Sequence, residues 1–193
     1  MRTIPRLLAA VAVVFTTPLF AQVQPNTVIT GVEGLPWGAS RAQVEAKFGA
    51  PDSVHVRGDT VNLIYQGKPV AGTTAQIMDV LIAPADEMAS VAYLIKQTPG
   101  DCATTFDQVV SGITGSMPGL RVGPLEVIAG GSTTNDVARA CRSFSQNPTY
   151  GVVVSRTLRD PTGPGSVSLF NMGSSQRGTT LVIQFRRASR GRR

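Results

Sequence analysis

The chain has one histidine, His55, so any Ser-His-Asp arrangement for hydrolysis has to use it. His55 lies between Val54 and Val56, and this alternation predicts an exposed residue on a β-strand. Ser40 and Ser116 have glycines nearby, but neither lies in the Gly-x-Ser-x-Gly pattern that presents a nucleophile on a sharp turn. We therefore expect no catalytic residue. A small hydrolase with an unrecognised site is the alternative.

The carboxylates have positions that favour folding roles over chemistry. Several aspartates lie where helix caps or turns are expected, namely Asp52, Asp59, Asp101, Asp136 and Asp160. With one histidine, two cysteines and no clustered acids, the chain lacks the ligand set of a metal site. No glycine-rich stretch is followed by Lys-Ser or Lys-Thr, as a phosphate loop requires. We expect neither a metal nor a cofactor.

The first 21 residues have the order of a secretory signal peptide. Arg2 and Arg6 give a positive start, residues 7–15 are apolar, and Ala21 offers a small residue at the cleavage point. A membrane anchor is the alternative, but about 20 apolar residues are needed to span a bilayer, and Pro18 interrupts too early. We expect an exported protein in the periplasm, with secretion into the medium less favoured.

The two cysteines, Cys102 and Cys141, are interpreted in that oxidising compartment. An even cysteine count in an exported chain predicts a disulfide. A redox or metal pair is the alternative, but the spacing is neither Cys-x-x-Cys nor a zinc pattern. The sequence therefore predicts a structural bridge between Cys102 and Cys141.

The net charge of +6 is concentrated at the two ends of the chain. Two of the 18 basic residues lie in residues 1–21 and five in the last eight, which leaves 11 basic against 12 acidic residues in between. A nucleic-acid partner is not expected, because it requires a basic stripe on the folded surface. Five arginines could contact anionic lipid or lipopolysaccharide as a peripheral membrane surface: Arg186, Arg187, Arg190, Arg192 and Arg193. A solvated chain end is the favoured interpretation. No apolar run after residue 21 has spanning length, so no transmembrane anchor is expected.

Local patterns in residues 35–99 predict one helix and four strands. Ser40 with Gln43 forms a capping box, and Gly49 and Pro51 end a helix over 41–48. Alternating segments predict strands at 54–56, 61–65, 77–82 and 91–95. The short connections between them favour an antiparallel meander.

Residues 100–187 repeat this order. Asp101 begins a helix whose apolar residues follow a helical period, at Phe106, Val109, Val110, Ile113 and Met117. Strands are expected at 120–128, 151–154, 166–170 and 180–185, while 137–144 fits either a strand or a short helix.

The patterns together predict an α+β fold of two halves, 35–99 and 100–187, each a helix and an antiparallel meander, with the helices packed on one face of the sheet. An N-terminal segment, 22–34, precedes the halves, and a basic tail, 188–193, follows them.

The segment from Leu35 to Pro51 resembles a helix entry of SmpA/OmlA-type envelope domains, whose relatives share the β-lactamase-inhibitor-protein-like fold. A glycine-containing turn, a serine cap, an apolar residue four positions on and a closing Gly-x-Pro carry the resemblance. It implies a periplasmic module for protein contacts or envelope assembly. The lipoproteins of this family end their signal at a cysteine, whereas this chain has Phe20-Ala21-Gln22 there.

The uncovered face of the expected sheet is the place for a partner. Trp37, Tyr65 and Tyr93 are the candidate contacts, because aromatic side chains are enriched at interface hot spots. The sequence thus favours a non-catalytic protein-binding or envelope-assembly module, whose partner is another envelope protein.

Overall fold

The computed structural model describes residues 29–98, 100–117, 120–127, 132–134, 136–146, 151–159, 165–174 and 178–187. The predicted signal peptide and the basic tail 188–193 lie outside these residues. In chain order, the elements are β1 (Gly31–Val32), β2 (Leu35–Pro36), α1 (Arg41–Phe48), β3 (Ser53–Arg57), β4 (Thr60–Val70), β5 (Thr73–Ala83), β6 (Glu87–Gln97), α2 (Cys102–Ser116), β7 (Arg121–Val127), β8 (Ser132–Thr134), α3 (Val137–Gln146), β9 (Gly151–Arg159), β10 (Gly165–Ser174) and β11 (Gly178–Arg187).

Nine of these strands form one antiparallel sheet in the order β3-β4-β5-β6-β11-β10-β9-β7-β8, and β1 pairs with β2 separately. The central contact is between β6 and β11, where Thr179–Arg186 pair with Ser90–Gln97 in antiparallel register. Because β6 ends the first meander and β11 ends the last one, this pairing makes a single continuous sheet from distant parts of the chain.

Burial alternates along most of β4, β5 and β6, as the pleat requires, whereas β11 buries three residues in a row, Leu181–Ile183. Four neighbouring strands of the sheet, β4, β5, β6 and β11, place buried residues opposite one another on one face, which we call the inner face. These residues are Leu63, Tyr65, Met78, Val80, Val91, Tyr93, Ile183 and Phe185. The residues between them lie on the outer face, for example Asn62 on β4 and Asp79 on β5. The hydrophobic core therefore lies on the inner side of the sheet.

The prediction of an α+β fold with packed helices was wrong. The described residues form a mostly antiparallel β structure, with strands of up to 11 residues and three short helices. The strands are longer than the alternating segments of the sequence indicated. The pairing of β6 with β11 joins the strands of the two expected halves into one sheet. Helix α1 contributes one buried side chain, Val44, to the core.

Helix α1 begins and ends as its local sequence predicts. The backbone N–H of Gln43 donates to Ser40 Oγ at 3.3 Å, and the N–H of Ser40 donates to Gln43 Oε1 at 2.9 Å. This capping box pairs two of the backbone donors that a helix leaves open at its start. Gly49 has a φ of 88°, a conformation that glycine adopts readily, and the helix ends there.

The predicted disulfide is confirmed, and it joins two helices. Cys102, at the start of α2, bonds to Cys141 in α3, and both residues are buried. Residues 137–144, which fitted either a strand or a helix, lie within α3. The predicted stripe of α2 is buried at Phe106, Val109 and Ile113.

The tip of the β4–β5 hairpin packs closely on α2. A Cβ placed on Gly112 would lie 2.8 Å from the carbonyl oxygen of Ala71, which is closer than real side chains come. Gln108 Nε2 donates to the carbonyl of Gly72 at 3.4 Å. A Cβ on Gly115, in the same helix, would meet nothing within 4 Å. The two glycines therefore differ in surroundings but share a helix.

This difference gives a matched pair of stability predictions. Gly115→Ala should raise the free energy of unfolding by roughly 0.5–1 kcal/mol, because alanine has the higher helix propensity. Gly112→Ala should lower it, because the added methyl group pushes α2 away from Ala71. Urea denaturation of both variants measures the difference. Equal stabilisation by both would show that the hairpin tip does not pack on α2.

Removal of the disulfide should destabilise the fold strongly. The bridge spans a sequence separation of 39 residues, and closing a loop of that length stabilises by about 4 kcal/mol in the chain-entropy model. Cys102→Ala with Cys141→Ala should therefore lower the free energy of unfolding by a similar amount, measured in urea. Ser111→Ala, on the exposed side of α2, is the control. A loss below about 1 kcal/mol would contradict the entropic role.

Candidate functional site

Strand β3 forms one edge of the sheet. Its five residues pair with β4, from Ser53 opposite Ile64 to Arg57 opposite Thr60. The two strands are joined by a two-residue turn in which Gly58 has a φ of 60°. Within the described residues, no strand pairs with the other side of β3.

Every residue of β3 is exposed, including two large apolar ones. Val54 is 39% exposed and Val56 is 67% exposed. Val54 lies opposite the buried Leu63, and Val56 lies opposite the half-buried Val61. The inner face therefore extends to the edge of the sheet, where Val54 and Val56 are exposed to solvent. We call these two side chains the valine strip.

Among the described residues, some backbone hydrogen-bonding groups of β3 point to this edge, where no strand pairs with them. In a two-residue hairpin, the residues that flank the turn form a hydrogen-bonded pair, and such pairs alternate along the strands. Because Arg57 and Thr60 flank the turn, the N–H and C=O groups of His55 face β4. The corresponding groups of Val54 and Val56 then face away from β4, toward the open edge.

The outer face beside β3 has a shallow polar pocket of about 250 Å³, lined by His55, Arg57, Asn62, Ile64 and Asp79. Asn62 Nδ2 donates to Asp79 Oδ1 at 2.7 Å, which fixes that carboxylate. His55 is exposed, as predicted, and its Nε2 lies 3.4 Å from Ser53 Oγ. This arrangement can offer one cation, one carboxylate and an imidazole to a ligand. A catalytic role for His55 stays a prediction of the hydrolase alternative.

The aromatic residues named as partner contacts lie mostly inside the protein. Tyr65 and Tyr93 are each 1% exposed. Trp37 is half-buried against the core, and its Nε1 donates to the carbonyl of Ile29 at 2.8 Å. The described residues with large exposed apolar side chains are instead Val54 and Val56 on β3, Ile77 on β5 and Val122 on β7. The Val-His-Val alternation indicated a strand at β3, but nothing local indicated that this strand would be at the edge.

Burial changes the ionisation of both tyrosines. It raises the pKa of the Tyr93 hydroxyl, and the charge of Glu33 raises it further. Burial also raises the pKa of Tyr65, with Glu45 acting in the same direction and Arg41 in the opposite one. Among the described residues, neither hydroxyl has a hydrogen-bond partner. Both side chains therefore act as large apolar groups in the core.

Of the five arginines proposed for an anionic surface, two lie in the described residues. Arg186 is exposed at the end of β11. Arg187 is bonded to a carboxylate, with Nη1 at 2.7 Å from Glu87 Oε2. Arg190, Arg192 and Arg193 lie outside the described residues. A lipid or lipopolysaccharide contact through these arginines stays a prediction.

A second cavity, of about 280 Å³, lies between the β1–β2 hairpin and the end of α2, and Glu33, Leu35 and Met117 are among its lining residues. In the described ranges, no group of three or more histidine, cysteine, aspartate or glutamate side chains could hold a metal ion. None of the helices described is both long and apolar enough to cross a membrane.

Known proteins offer no match. No family model, no curated protein and no solved structure matches the chain. The resemblance of residues 35–51 to SmpA/OmlA-type domains therefore stays a prediction that depends on the cap, core and stop residues of α1.

The buried hydroxyls can be tested by substitution. Tyr93→Phe should leave the free energy of unfolding unchanged or raise it by up to about 1 kcal/mol, because it removes a buried polar atom without a partner among the described residues. Asn171→Leu is the contrast, because Asn171 is buried and its Oδ1 accepts from Gln97 Nε2 at 2.5 Å. That variant should lose roughly 1–3 kcal/mol. Chemical denaturation measures both. A large loss for Tyr93→Phe would show that the hydroxyl has a partner.

Proposed function

We propose that this chain is a non-catalytic protein-binding module of the bacterial envelope, and that it binds an extended protein segment by strand addition at β3. The observation that carries the proposal is the exposure of all five residues of an edge strand, two of them valines.

Strand addition uses both features of this edge. An incoming strand forms main-chain hydrogen bonds with the open edge, and alternate side chains contact the two faces. At β3, the outward backbone groups belong to Val54 and Val56, and the same two side chains supply apolar surface on the inner face. On the outer face, the partner would lie beside the pocket of His55 and Arg57.

The opposite edge of the sheet is less suited to a partner. Strand β8 there has three residues, Ser132–Thr134. Its neighbour β7 contains Pro124, and the pairing of β7 with β9 shifts register between Val122 and Leu125. Proline and irregular pairing are the means by which natural sheets prevent edge-to-edge contact. Of the two edge strands, β3 is the longer one, and it pairs with its neighbour without a register shift.

The envelope location is supported from the sequence and from the disulfide. Residues 1–21 predict export. A disulfide between Cys102 and Cys141 is compatible with an oxidising compartment such as the periplasm. The resemblance at α1 implies the same compartment and a role in protein contacts.

The proposal predicts crosslinking from β3 in cells. A photoreactive phenylalanine analogue at position 56 of the full chain should form a covalent adduct with a protein of the envelope, identified by mass spectrometry. The same analogue at Thr104, exposed on α2, should not form that adduct. Val54→Pro, combined with the probe at position 56, should abolish the adduct, because proline removes an outward N–H donor and is tolerated on an edge strand.

Circular dichroism and urea denaturation of the proline variant provide the folding control. An adduct that persists in the folded Val54→Pro variant would show that contact does not use strand addition. Absence of any adduct specific to position 56 would contradict β3 as the binding surface.

A further inference from the structure

Building on the proposed function, we infer that the segment that pairs with β3 is β3 of a second copy of this chain, in an antiparallel register centred on His55. The two sheets would then join edge to edge across a twofold axis.

The sequence of β3 is complementary to itself in this register. Val54 of one copy lies opposite Val56 of the other, and His55 lies opposite its own counterpart. The outward backbone groups belong to the two valines, so a Val54–Val56 pair exchanges hydrogen bonds on each side of the axis. All five residues of each strand are paired. A shift by two residues in either direction leaves only three residues of each strand in the pairing.

The valine strip gives this pairing an apolar surface. Val54 and Val56 from both copies come together on the inner face, beside the half-buried Val61. In one copy this strip continues from the buried Leu63, so the pairing would extend the core across the axis. An isologous contact of this kind is the usual geometry of homodimers.

The charges of the chain are compatible with self-association. Between residues 22 and 185 there are 11 basic and 12 acidic residues, so this part of the chain has little net charge to oppose a second copy. On the outer face, the charged groups around His55 are Arg57 on its own strand and Asp79 on β5. Arg57 lies opposite Ser53 of the second copy, so the register places no two arginines directly opposite each other.

Sedimentation velocity of the full chain without its predicted leader tests the association. We expect a reversible dimer that appears between about 10 μM and about 1 mM, because pairing of one short edge is small compared with standard interfaces. Val56→Lys should weaken the dimer at least about tenfold, because a lysine on the edge opposes strand pairing. Val122→Lys is the matched control, because Val122 is 46% exposed outside β3, and it should leave the dimer unchanged.

Cysteine crosslinking tests the register. Opposite residues of a pair that exchanges no hydrogen bonds have Cα atoms about 4.5 Å apart, within reach of a disulfide. His55→Cys should therefore form a covalent dimer on mild oxidation. Val56→Cys alone should not, because its counterpart lies opposite Val54, whereas a mixture of Val54→Cys and Val56→Cys chains should crosslink.

The outcomes separate this inference from the proposed function. A protein that stays monomeric at the highest concentration, a dimer that Val56→Lys does not weaken, or a Val56→Cys chain that crosslinks better than His55→Cys would each overturn the inference. If the purified chain is monomeric but position 56 crosslinks to a different envelope protein in cells, the proposed function stands and the second copy is wrong. If neither association nor an adduct is found, both fail.

Discussion

The pairing of β6 with β11 is the contact on which the rest of the structure depends. It joins strands that end two separate meanders, and without it the sheet would be two smaller ones. Hydrogen bonds between polar side chains join the strands at one end of this contact. Thr179 Oγ1 donates to the carbonyl of Gln97 at 3.1 Å, and Gln97 Nε2 donates to Asn171 Oδ1. Asn171 Nδ2 donates in turn to Cys102 Sγ at 3.2 Å, so the network reaches the disulfide between α2 and α3. A hydrogen-bonded network of this kind favours one register over its neighbours, although Gln97 Oε1 has no partner among the described residues.

Features that depend on neighbouring residues could be predicted from the sequence, and those that depend on distant pairing could not. The capping box at Ser40 and the apolar stripe of α2 are local, and both helices form where they were expected. The Gly58-Asp59 turn likewise places the β3–β4 hairpin. Nothing in a local pattern indicates that β11 pairs with β6 rather than with a strand nearer in the chain. The fold class was wrong for this reason: one long sheet formed where two layered halves were expected.

The candidate site has the same limitation. Alternation placed Val54, His55 and Val56 on a strand and His55 in solvent, and the structure agrees. Whether a strand lies at an edge depends on the order of the whole sheet, and so the exposed valines could not be recognised beforehand. The tyrosines show the converse. Tyr65 and Tyr93 have side chains that suit an interface, but their strands are central, and the inner face buries them.

Beyond the end of β3, one backbone N–H of β4 is paired by a side chain of the preceding loop. Strand β4 has 11 residues and β3 only five, so part of β4 extends beyond its neighbour. There the carboxylate of Asp52 accepts from the N–H of Gln66 at 2.8 Å, and Lys68 Nζ donates to the carbonyl of Phe48 at the end of α1. A long open edge invites aggregation, and a short edge strand reduces that risk. Asp52 thus pairs one N–H of β4 beside β3, and the five residues of β3 are the edge that a segment can pair with in a regular register.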